Sequence, residues 1–111
     1  MKIEGIEVLC EDDLEKALTK MALRIMQGLK MSKKQIGMYK KTIKQDTALV
    51  MNGGKPSSIV ASRVYVINLL TGGIKTQEVI SREAGVSVAG ILKYYPMLGV
   101  LKWRKKKSTR E

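Results

Sequence analysis

Between Ile59 and Leu70, nine of twelve residues are apolar and Arg63 is the only charge, so no orientation of a helix here leaves a polar half. An element apolar nearly all round must be wrapped by others. The β-branched content would suit a buried strand, but the run is too long for a typical one. Pro56 before it and Gly72-Gly73 after it punctuate a helix. The pattern predicts a central helix opened by Pro56, with the rest of the chain folded around it. Twelve residues are too few to span a bilayer.

Upstream, Leu14, Ala17, Leu18, Met21, Ala22, Ile25 and Leu29 recur at three- and four-residue spacing, while Lys16, Lys20 and Arg24 stack along another face. This predicts a helix to about Leu29, capped by Asp12 or Asp13. Ser32 and Gln35 have the capping-box form. They predict a second helix running unbroken to about Met51, with Ile36, Tyr39, Ile43, Thr47 and Val50 inside, until Asn52-Gly53-Gly54 ends it. Residues 1–11, alternating imperfectly at Ile3, Ile6 and Val8, predict a short strand or extended arm. Its acids are expected to neutralise part of the basic surface.

Downstream, Thr76 caps a short helix to Ala84, and Gly85-Val86-Ser87 follows. In a helix-turn-helix the turn glycine is left-handed, and a small residue sits four positions before it, where the helices come closest. With Gly85 as the turn, Ser81 is that small residue. Ile80, Ala84, Val86, Ile91 and Tyr94 fall on the positions to be buried, and Ser87 caps a second helix from Val88. The motif is thus predicted at 76–95. Its outward residues, Ser87, Val88, Ala89, Gly90, Leu92 and Lys93, lack the Arg, Asn and Gln that usually read base edges.

The chain has 111 residues, 44% of them apolar, which suits one domain: a helical body at 12–101 and a basic tail at 102–111. The formal charge of +11 is unevenly distributed. Six acids face Lys2 in residues 1–15, ten bases face Asp46 in residues 16–55, and seven bases face Glu111 after residue 85. Such a field attracts polyanions, nucleic acid first. The candidate DNA contacts are Lys33, Lys34, Lys40, Lys41, Lys55, Thr76, Ser87, Val88, Ala89, Gly90, Lys93, Lys102, Arg104, Lys105, Lys106 and Lys107, the last four following Trp103. Cys10 is expected to be a buried, inert thiol. With one cysteine and no histidine, no internal disulfide, metal site or cofactor is expected. GGKPSS lacks the glycine spacing of a phosphate-binding loop, and an enzyme is not expected. The N-terminal residues lack a signal-peptide pattern, so an intracellular, cytoplasmic protein is expected.

Several segments carry a resemblance to one family. They are ALRIMQGLKMS (Ala22 to Ser32), IGMYKKTI (Ile36 to Ile43), GGKPSSIVASRVYV with Pro56 and Tyr65, and TQEVISREAGVSVAGILKYYPML with Gly85, Val86, Ile91 and Tyr95. In order and spacing they resemble a single cyclin-like repeat of the transcription factor IIB family and its archaeal counterpart, over nearly all of residues 12–101. The resemblance implies an all-α, five-helix bundle around a buried central helix, ending in a helix-turn-helix. It also implies binding to duplex promoter DNA, with the TATA-binding protein or RNA polymerase as partners. The expectation is a small DNA-binding transcription regulator. The alternative is an adaptor that binds transcription proteins, or a second copy of itself as a homodimer, through the apolar surface of the helix pair.

Overall fold

The computed structural model describes residues 1–98. Two short antiparallel strands, β1 (Lys2–Ile3) and β2 (Ile6–Glu7), pair Lys2 with Glu7 and Ile3 with Ile6. Positive φ at Glu4 (49°) and Gly5 (78°) matches the two-residue turn whose twist suits such a hairpin. Six α-helices follow: α1 (Glu11–Gly28), α2 (Lys33–Lys41), α3 (Ile43–Met51), α4 (Pro56–Leu70), α5 (Gln77–Ala84) and α6 (Val88–Tyr94). A 3₁₀ turn at Tyr95–Leu98 continues α6.

The central helix α4 is the element the apolar run predicts. Pro56 occupies its first turn, and every residue from Ser58 to Asn68 except Tyr65 is buried. Helices α1, α2, α3, α5 and α6 all pack on it. Ile59, Val60, Val64 and Ile67 share one core with Leu18, Ile25, Met26, Tyr39, Ile80 and Ile91. Each large apolar side chain buried this way is worth about 1.5–3 kcal/mol. The helix ends on Gly72, whose φ of 70° lets the amides of Gly72 and Gly73 bond back to Leu69 and Asn68.

Three expectations are corrected. The helix expected over 33–51 is two helices. Thr42, with φ −106° and ψ 5°, turns its hydroxyl and amide to the Tyr39 carbonyl (2.8 and 3.0 Å) and ends α2, so the described residues hold six helices and not five. The α1 cap is the extended residue Cys10, not Asp12 or Asp13; Asp13 instead reaches back to accept from the Leu9 amide (3.0 Å). Cys10 is exposed, because the chain there runs from the hairpin into α1 along the surface. The capping box at Ser32 and Gln35 forms in both directions, as its residues predict.

The break at Thr42 has a consequence inside. It starts a new helical phase, and α3 carries Asp46 into the core opposite Arg63 of α4. The guanidinium donates to Asp46 from Nε (3.0 Å) and Nη2 (2.8 Å), to Gln45, and from Nη1 to the Leu98 carbonyl (3.3 Å). Both partners are buried, at 3% exposure for Arg63 and 0% for Asp46. Burial raises the Asp46 carboxyl above its ordinary range, opposed by the bonds from Arg63. No buried side-chain nitrogen or oxygen among the described residues lacks a partner.

Candidate nucleic-acid interface

Helices α5 and α6 form a capped pair joined by a left-handed glycine. The Thr76 hydroxyl accepts from the Val79 amide (3.2 Å) and opens α5. Gly85 sits at φ 72°, ψ 31°; its amide donates to the Arg82 carbonyl and that of Val86 to the Ser81 carbonyl, the two bonds of a Schellman end. The Ser87 hydroxyl then accepts from the Gly90 amide (3.1 Å) and starts α6. Ile80, Ser81, Ala84, Ile91 and Tyr94 are buried, Val86 is half-buried, and Gly85 faces solvent. Those positions match the spacing in the sequence.

Three contacts seat α6 on the first half of α4. A side-chain carbon at Gly90 would lie 2.8 Å from the Ser58 hydroxyl oxygen, so only glycine lets the helices approach this closely. The Ser62 hydroxyl donates to the Ser58 carbonyl (2.6 Å) and lies 3.3 Å from the Ile91 carbonyl. The Tyr94 hydroxyl accepts from the Lys55 amide (3.2 Å). Lys93 lies over the Tyr94 ring, 5.4 Å from its centre, a cation–π contact. The backbone of Lys55 and the ammonium of Lys93, far apart in sequence, therefore contact the same tyrosine.

Of the outward positions expected on α6, Ser87, Ala89, Leu92 and Lys93 are exposed. Val88 and Gly90 are half-buried, Gly90 because its open side faces Ser58. The lysines of α2 lie elsewhere. Lys33, Lys34, Lys40 and Lys41 are exposed and repeat every seven residues, so they form one stripe. The start of that stripe is tied to the end of α4, where Gln35 donates to Thr71 (2.9 Å). From Ser58 to Thr71 the helix advances about 20 Å and turns to nearly the opposite side of its axis. Thr76 begins α5 near that same far end, since Asn68 holds Lys75 through both backbone groups (2.8 and 3.4 Å). The candidate residues thus divide into an α6 group with Lys55 and Lys93, and a far-end group with the α2 stripe. Lys102, Arg104, Lys105, Lys106 and Lys107 lie outside the described residues.

Acids cover another part of the basic surface. Glu4 accepts from Arg24 (2.8 Å), and its carbonyl from Lys20 (3.0 Å); Glu15 accepts from Lys44 (2.7 Å). The Glu4 carboxylate holds the Arg24 guanidinium above its usual range, and Glu15 does the same for Lys44. The α1 stripe is therefore partly occupied by the hairpin.

Sequence reasoning missed Asp46 as the partner of Arg63, and Asn68 and Ser58 as packing and loop-holding groups. A lone acid amid ten bases and a lone base in an apolar helix were the available signals. Among the described residues, no group of His, Cys, Asp or Glu is placed to hold a metal ion, and no helix is long and apolar enough to cross a membrane. Comparison with protein-family models, with curated proteins and with solved structures returns no match.

Proposed function

We propose that the chain is a small DNA-binding transcription regulator that meets duplex DNA through the α5–α6 helix-turn-helix, as its resemblance to a cyclin-like repeat of the transcription factor IIB family implies. The observation that carries this reading is the left-handed Gly85 between two side-chain-capped helices, with a small Ser81 at the close approach. Lys55 and Lys93 flank that pair and supply phosphate contacts; Ser87 and Ala89 lie at the groove. The α2 stripe adds contacts outside this footprint, and the basic residues 102–107 add phosphate contacts of their own. The TATA-binding protein and RNA polymerase are the partners the resemblance implies.

The test is fluorescence anisotropy on a labelled duplex between about 50 and 200 mM salt. Each phosphate contact adds about 0.9 to the slope of log affinity against log salt, so Lys55→Gln with Lys93→Gln lowers the slope by about 1.8. A flat salt response in the parent chain, or an unchanged slope in the double variant, overturns the proposal.

A second reading is favoured by exposed apolar residues on the same helix pair: Val79 on α5, Leu92 on α6 and Met97 just beyond. In it, this face binds a transcription protein or a second copy of the chain. Leu92→Ser with Val79→Ser then removes partner binding without loss of stability, and unchanged capture by polymerase or the TATA-binding protein argues against it.

A further inference from the structure

We infer that α6 seats on duplex DNA without reading its sequence, because it has no side chain placed to read a base edge; the inference rests on the DNA-binding function proposed above. The polar groups of α6 account for themselves in turn. The Ser87 oxygen is engaged as the helix cap, accepting from the Gly90 amide at 3.1 Å. Its remaining hydroxyl proton pairs with any acceptor and does not discriminate among bases. The Tyr94 hydroxyl is buried against α4 and accepts from the Lys55 amide. Lys93 sits at the last turn over the Tyr94 ring, whereas the N-terminal residues of a helix laid in the groove meet the bases. Lys93 therefore serves phosphate.

The remaining outward residues, Ala89 and Leu92, offer only apolar contact, which distinguishes a thymine methyl at most. Rotation of α6 to present other side chains is blocked. Gly90 is pressed on Ser58, Ile91 is fully buried, and Tyr94 is bonded to the start of α4. The helix is also short, seven residues or about 10 Å, so it reaches few base pairs before Pro96 breaks its course. The substrate is then the duplex as a shaped polyanion, and α6 acts as a spacer whose last turn brings Lys93 and neighbouring Lys55 to the phosphates.

The experiment is a binding selection from random duplexes with the full chain, followed by affinities for four unrelated duplexes of one length. The expected result is an unenriched pool and affinities agreeing within about tenfold, the discrimination a single good base contact would add. Ala89→Arg, at an exposed position that tolerates size, should gain a guanine preference of about tenfold or more. A motif enriched by the parent chain overturns this inference and leaves the proposed function standing. Loss of all DNA binding overturns both. An Ala89→Arg chain that binds DNA without gaining any preference shows that α6 lies outside the groove, which overturns the inference as well.

Discussion

Replacing Asp46 with alanine leaves the Arg63 guanidinium at 3% exposure with only Gln45 and the Leu98 carbonyl to accept from it. Stranding one member of a buried ion pair costs about 3–5 kcal/mol. A domain of this size has a total stability of about 5–15 kcal/mol, so Asp46→Ala removes a large share of it. With a urea dependence of about 1–3 kcal/mol per molar, the unfolding midpoint falls by at least about 1 M. Arg63→Met alone releases the 3₁₀ turn and leaves a buried carboxylate without its cation, at a similar cost. The double variant Asp46→Leu with Arg63→Met removes both charges and fills the space with apolar atoms, and returns to within about 1–2 kcal/mol of the parent. The assay is equilibrium urea unfolding followed by the helical circular dichroism signal, for the parent, both single variants and the pair. If Asp46→Ala costs less than about 1 kcal/mol, water reaches the guanidinium and the pair is not a sealed one. If the double variant is as unstable as either single one, the pair contributes something a hydrophobic core cannot replace, and the reasoning fails.

Gly85→Ala places a side chain at φ 72° and should lower stability by about 1–2 kcal/mol, with Gly85→Asn costing less; thermal unfolding of both ranks them. Gly90→Val drives its side chain into Ser58 and should cost about 1–3 kcal/mol, while Ser58→Gly in the same chain recovers part of that in the same melt. Asp13 accepts from the Leu9 amide, which holds its carboxyl below 3.8; its contribution is present above 3.8 and is lost as pH falls through the lower folded value. Protection of the Leu9 amide, its exchange rate by NMR relative to the intrinsic rate at the same pH, should therefore fall in acid, and Asp13→Ala should abolish that protection at neutral pH.

The central helix and the α5–α6 pair were legible because their signals are local: an uninterrupted apolar run, a proline at its start, and glycine between two hydroxyl caps. The break at Thr42 was not, because Ile36, Tyr39, Ile43, Thr47 and Val50 keep nearly helical spacing across it. What the break brings about, Asp46 facing Arg63, depends on a partner seventeen residues away. Gly90 was misjudged for a related reason. Gly90 was expected to face outward, and its place against α4 shows only once the neighbour it admits, Ser58, is known. Of the outward positions expected on α6, Ser87, Ala89, Leu92 and Lys93 are exposed while Val88 and Gly90 are half-buried, and the separation of Lys55 and Lys93 from the α2 stripe depends on which side of α4 each helix occupies. That is set by packing.

The hairpin at the start of the chain behaves as a built-in counter-ion. Glu4 holds both Lys20 and Arg24, so an incoming polyanion has to displace a carboxylate already seated there before it can use the long face of α1. The first seven residues thereby narrow the adhesive surface of a strongly cationic chain, and a version trimmed of them would stick to more of what it meets.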